Sequence, residues 1–335
     1  MFKTKSVINA SNDRKLLVII GNGFDLDLGL KSTYLDFMES ELWKSTYAEL
    51  KSARLLQKGN ILTYLESKKN IEKWFDVETE LLHYALERSK NGLVFRYMDQ
   101  DKELFKIFCA KLKDYLKLEE NRFTPKDNPI AVQLIRAILD NGYFNSIYSF
   151  NYTDISIVLG RMGVNINAPI HYVHGSLREG DDIILGIETD LKIRSEYTFL
   201  YKSNSKFYSS NELINDLKAA DDVVFFGHSI NGMDFPYFEN FFLDRGQQND
   251  NSLKKRITIF TKDSDSDTLI RDNFRDNKIN PRTLMLQNVV SFIETEGLYK
   301  GEISEKNKYK EFLNHLEDES EKADQAIIDN IESYL

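Results

Sequence analysis

Apolar residues along this chain follow two rhythms. The run Leu16-Leu17-Val18-Ile19-Ile20 is unbroken, mostly branched, and stops at Gly21. A run so short and so free of polar alternation predicts a strand buried on both faces, as in a parallel sheet. Comparable strand signals lie at 146–150, 170–173, 182–186, 223–227 and 257–260. The other rhythm is helical. Leu55, Leu56, Ile61, Leu62 and Leu65 recur at helical spacing, as do Val77, Leu81, Leu82 and Ala85, and then Leu104, Ile107, Phe108, Leu112 and Leu116. Ser32 or Thr33 is placed to cap a helix running through Tyr34, Phe37, Met38 and Leu42. Strands that alternate with helical stretches predict an α/β domain with a mostly parallel sheet and helices on its faces.

These rhythms predict an α/β domain over 15–300. A helical insertion or cap interrupts it at 41–128, and a charged helical tail follows at 301–335. Most of the insertion reads as a packing layer, and the acidic run at 317–321 reads as a solvated helix face.

Composition narrows the picture. The 335 residues are 41% hydrophobic and 29% charged, with 5 prolines, which argues against long disordered linkers. Cys109 is the only cysteine, so neither an internal disulfide nor a cysteine-based zinc module is expected. That suits a reducing, cytoplasmic location. The first fifteen residues lack the apolar core of a signal peptide, and no apolar run approaches the ~20 residues of a membrane helix. A net charge of −9 opposes broad binding to nucleic acid.

Four loops that follow strands carry candidate chemistry, and ligands of such sheets sit beyond the carboxyl ends of the strands. In Gly21-Asn22-Gly23-Phe24-Asp25 the glycines let a phosphate approach the backbone, and a helix start beyond them favours an anion. The same spacing serves a tight strand-to-helix turn, and the third glycine, Gly29, comes too late for the dinucleotide fingerprint G-x-G-x-x-G. In Phe150-Asn151-Tyr152-Thr153-Asp154, Asn151 offers a donor and an acceptor to a ribose hydroxyl or a water, while Asp154 is the better helix cap. His174, in Val173-His174-Gly175-Ser176, can accept a proton near neutral pH. His171, three positions earlier, makes a poor metal partner for it, and no metal site is expected. Gly227-His228-Ser229 can border an adenosine, with Asp234 read as the cap of the next helix. Trp74-Phe75-Asp76-Val77-Glu78 reads as a helix start with acids at its positive end.

Together these segments resemble the AbiH family of bacteriophage abortive infection proteins, over roughly residues 16–240. Residues 19–25, Gly29-Leu30, Tyr34, Asp36-Phe37, Trp74-x-Asp76-x-Glu78, 150–153, 174–176 and 226–229 carry the likeness. The same landmarks are similar, at a distance, to sirtuins. Gly21, Gly23 and Gly29 keep a sirtuin glycine spacing, Asn151 matches the asparagine of T-x-N-x-D, His174-Gly175 matches H-G, and Gly227-His228-Ser229 matches G-T-S. Thr153 stands where that pattern has aspartate, with Asp154 after it, and the cysteine quartet of protein deacylases is absent.

The resemblance implies a Rossmann-like, sirtuin-like sheet and a phage-defence protein that binds NAD or a related nucleotide and hydrolyses NAD at the nicotinamide–ribose bond. Asn151 and His174 would be catalytic. Gly21, Asn22, Gly23, Phe24, Asp25, Thr153, Asp154, Gly227, His228 and Ser229 would hold the nucleotide. A phage-derived trigger and a homo-oligomer fit the same expectation, whereas a membrane or nucleic-acid partner does not. Two other readings remain open at this point: a nucleotide sensor without turnover in a defence complex, and a nuclease-type effector.

Overall fold

A computed structural model gives the structure of the protein and describes residues 15–69, 76–90, 98–141, 144–188, 191–206, 208, 212–245 and 254–332. Six strands form one sheet: β1 (Leu16–Ile20), β2 (Phe144–Ser149), β3 (Ile170–Tyr172), β4 (Asp222–Phe226), β5 (Arg256–Thr261) and β6 (Val289–Glu294). Their order is β3-β2-β1-β4-β5-β6 and every pairing is parallel. This is the Rossmann-like, α/β layout expected, and the strand order reverses between β1 and β4, the switch point at which ligands of such sheets sit.

Helices cover both faces: α1 (Asn22–Leu28), α2 (Tyr34–Glu39), α3 (Glu41–Ser52), α4 (Ile61–Lys68), α5 (Val77–Lys90), α6 (Met98–Arg122) and α7 (Ile130–Asp140) lie between β1 and β2. The later ones are α8 (Ile155–Gly160), α9 (Leu213–Ala219), α10 (Phe235–Arg245), α11 (Ser264–Asp276), α12 (Pro281–Gln287), α13 (Thr295–Lys300) and α14 (Ile303–Glu332). Alternate residues of β1 feed opposite cores, as the two-residue period of a strand requires. Leu16, Val18 and Ile20 pack with Ile135 of α7, Val158 of α8 and Phe312 of α14. Leu17 and Ile19 pack with Leu217 of α9 and with Phe238 and Phe242 of α10. A third core lies within the helices after β1, where Phe37, Trp43, Leu62, Leu81 and Phe108 meet. Each such side chain fully buried stabilises the fold by roughly 1.5–3 kcal/mol.

Local signals explain several boundaries. Thr33 caps α2 in a reciprocal box with Asp36. Ser40 then caps α3 through the Trp43 N–H, so the helix expected to continue through Leu42 restarts at Glu41. The expected strand at 182–186 is not one. It meets Gly175 in a single antiparallel bridge, and its Ile183 and Leu185 turn into the helical core instead of onto the sheet. Strand β6 went unforeseen because Ser291 breaks its apolar run and its first half, at the sheet edge, is exposed at Val289 and only half-buried at Val290 and Ser291. The tail does more than face solvent: α14 docks Phe312 and Leu316 into the core, and His315 meets Asp222 at 2.9 Å. Among the described residues no helix is long and apolar enough to cross a membrane.

Registers level the strand ends. Ile20 is aligned with Ser149 on one side and Phe226 on the other, and Ser149 with Tyr172. The loops after β1, β2, β3 and β4 therefore leave the sheet from one rim.

Candidate functional site

At the switch point the loops after β1 and β4 lie against each other. The Gly21 N–H donates to the Phe226 carbonyl (3.1 Å) and the Gly23 N–H to the Gly227 carbonyl (2.9 Å). A Cβ on Gly23 would sit 2.6 Å from the Gly227 Cα, and one on Gly227, which has φ +62°, would sit 2.4 Å from Gly23. Glycine is required here because two backbones cross in contact. Phe24 is fully buried and packs edge-on against Phe226 at 5.5 Å. Asn22 is exposed at the start of α1 and accepts from the Ser32 hydroxyl. The Ser229 carbonyl accepts from Asn273 of α11 at 2.9 Å.

The loop after β2 locks onto this crossing. Asn151 Nδ2 donates to the Gly21 carbonyl (2.9 Å) and to Asp25 Oδ1 (3.0 Å), and the Thr153 hydroxyl donates to Asp25 Oδ2 (2.7 Å). Burial pushes the Asp25 carboxyl up to about 7, against the downward pull of Thr153 and Asn151. Asp154 caps α8 through the Ser156 N–H, as its sequence position suggests, and accepts from the Tyr172 hydroxyl.

The loop after β3 carries the strongest electrostatics. His174 Nε2 lies 2.9 Å from Asp234 Oδ1 and 3.2 Å from Lys202 Nζ. Lys202 Nζ is also 2.8 Å from Glu78 Oε2 and 3.6 Å from Asp234 Oδ1. The ammonium thus sits among two carboxylates and an imidazole. Burial would raise Asp234, but Lys202 and His174 together hold its carboxyl well below the usual carboxylate range. Burial likewise works against the Lys202 charge, and Glu78 and Asp234 more than offset it. Glu78 is pushed up by burial, with Asp234 and Asp76 adding to the rise. Burial and then Lys202 lower His174, outweighing the attraction of Asp234 and the pull of the Val173 backbone.

An ionised Asp234 accepts the proton on His174 Nε2, which leaves Nδ1 of the neutral ring as an acceptor. That Nδ1 is buried and without a hydrogen-bond partner, as are Glu78 Oε1 and His228 Nε2. His228 Nδ1 accepts from the Ile230 N–H at 2.9 Å, so its Nε2 carries the proton and faces Asp234 Oδ2 at 3.6 Å, too far for a hydrogen bond. Both histidine rings stand edge-on to Phe150, at 5.2 and 4.4 Å.

Sequence reasoning found Asn151, His174 and His228 and placed them on one rim. It missed Lys202, in a 3-10 turn at Lys202–Asn204, and read Asp234 as a cap without seeing that its side chain meets His174. Asp76 does start α5, accepting from the Glu78 N–H and the Thr79 hydroxyl. Glu78 beside it reaches the histidine cluster, whereas Trp74 and Phe75 of the same motif lie outside the described residues. Among the described residues, no group of three His, Cys, Asp or Glu side chains is arranged to hold a metal ion. A cavity of about 690 Å³ lies elsewhere, between α6 and Phe199, lined by Phe105, Cys109 and Lys113.

No curated protein matches the chain. The family model described as bacteriophage abortive infection AbiH matches residues 17–253, a span that holds the crossed glycine loops, Asn151 and the whole His174 cluster. With most of its length under that match, the chain belongs to the AbiH family of bacteriophage abortive infection proteins.

Proposed function

We propose that this AbiH protein serves abortive infection by binding NAD at the carboxyl rim of the sheet and hydrolysing its nicotinamide–ribose bond, with His174 as general base. The observation that carries the reading is the orientation of His174: Asp234 holds Nε2 while Nδ1 is unpartnered. This is the arrangement in which one ring nitrogen is fixed by a carboxylate and the other takes a proton. Its position on the rim next to a topological switch point supports a nucleotide ligand, and the sirtuin-like spacing of Asn151 and His174 supports NAD.

In the step proposed, His174 Nδ1 takes a proton from water. The oxygen bonds to the ribose C1′, the C1′–N bond breaks, and its electron pair neutralises the pyridinium, so nicotinamide leaves uncharged. Charge at C1′ passes through an oxocarbenium-like state, which nearby carboxylates stabilise. Asn151 has its donor committed to Gly21 and Asp25, and its side-chain oxygen is the group left to orient the ribose or the water. The cluster is closed in this structure, with His174 only 4% exposed, so turnover requires opening. Thr153, standing where the sirtuin-like pattern has aspartate, favours a second reading, a nucleotide sensor without turnover.

Incubation with NAD, with free nicotinamide and ADP-ribose quantified, separates the two. The hydrolase reading expects both products from the wild type, and their loss in His174→Ala and Asn151→Ala. Ligand-dependent thermal stabilisation with no product at high protein concentration, phage components included, would establish the sensor and reject the hydrolase.

A further inference from the structure

The proposed reaction leaves one buried charge unused. The Lys202 side chain is 0% exposed, and an ammonium withdrawn from water costs several kcal/mol unless it is paired. Its partners come from three separate parts of the chain: Glu78 at the start of α5, His174 after β3, and Asp234 before α10.

The surroundings of His174 explain why a cation belongs there. Asp234 touches the ring, α5 brings Asp76 and Glu78 to the same cluster, and His228 and the Tyr237 ring close it from the β4 side. Asp234 favours protonation of the imidazole it touches, and an imidazolium cannot take a proton from water. His228 does not redress the balance, because its ring is held neutral by burial. Lys202 places a positive charge 3.2 Å from the ring nitrogen, where it opposes a second proton on the same ring.

We infer that Lys202, anchored by Glu78 of the helical insertion, is a positioning residue that holds His174 as the neutral imidazole with its Nδ1 lone pair free. The insertion is then part of the working site as well as a packing layer. The effect on turnover rests on the hydrolytic reading above, whereas the state of the ring does not.

Histidine side-chain NMR on Lys202→Met, followed against pH, tests this. The His174 midpoint should rise by about one unit or more, as expected on removing a charge at this distance. The acid limb of the pH–rate profile for NAD hydrolysis should rise with it, so that activity near neutral pH falls and recovers at higher pH. Because Lys202→Met strands the Glu78 carboxyl, Lys202→Met/Glu78→Gln provides a neutral pair for the same titration, with a rise of the same sign. A folded variant whose His174 midpoint does not move overturns the inference, whatever its activity. A midpoint that moves in a protein that never releases nicotinamide leaves the inference standing and rejects the hydrolase instead.

Discussion

Two polar regions share the rim of this sheet and are built on opposite terms. In the crossing of the β1 and β4 loops, the N–H groups of Gly21 and Gly23 and both Asp25 oxygens have protein partners. In the His174 cluster, three buried polar atoms have none: Glu78 Oε1, His174 Nδ1 and His228 Nε2. An unpaired buried polar atom costs about 1–3 kcal/mol. A fold keeps such atoms where something other than stability is served. The glycine loop therefore reads as a joint between strands, and the histidine cluster as the place where a ligand or water is accommodated.

The largest effect expected comes from the joint. Gly227→Ala introduces a methyl group 2.4 Å from the Gly23 backbone at a positive φ. The loss should be about 3 kcal/mol or more, read as a fall in the denaturant midpoint or failure to obtain folded protein. A variant of near wild-type stability would show that the two loops can separate freely.

One residue from each region should also differ from the other in the sign of its contribution to the pH dependence of stability. His228 is lowered to about 4 by burial. Between about 6.5 and 4 the unfolded chain binds a proton that the folded protein refuses, so this residue makes stability fall as pH falls. Asp25, raised to about 7, does the reverse: the folded protein keeps a proton that the unfolded chain releases near 3.8, and stability is lost as pH rises toward 7. His228→Gln should remove about 1.4 kcal/mol per pH unit of acid sensitivity, and Asp25→Asn a slope of similar size and opposite sign. Denaturation series at several pH values check both, and slopes of one sign would break the distinction.

The smallest effect expected is at Asn22, which is exposed. Asn22→Ala should change stability by less than about 0.5 kcal/mol. If the loop start holds the nucleotide, the same variant raises KM for NAD with kcat little changed.

Much of this was legible in the chain. Strands β1 and β4 stand out because all five of their side chains are buried, so their runs have no polar alternation. Asn151 and His174 were found because each follows a weaker strand signal, at β2 and at the half-buried β3. The stretch at 182–186 misled because apolar residues covering a helical core look like those covering a sheet. Lys202 was illegible for a different reason. A lysine in a polar stretch reads as solvated, and the partner that buries it, Glu78, is 124 positions away. Asp234 was read as a cap because a carboxylate just before a helix has that position, and only the three-dimensional fold shows the histidine beside it. The motif most visible in the sequence, Gly21 to Asp25, is explained in large part by loop packing.

The direct test of the account measures stability and turnover of His174→Ala on the same preparation. The account predicts a folded protein destabilised by about 1–3 kcal/mol, because Asp234 loses its bond to the buried ring, together with a fall in NAD hydrolysis of about 10²- to 10⁴-fold. Retained hydrolysis, or activity lost only because the variant unfolds, would contradict it.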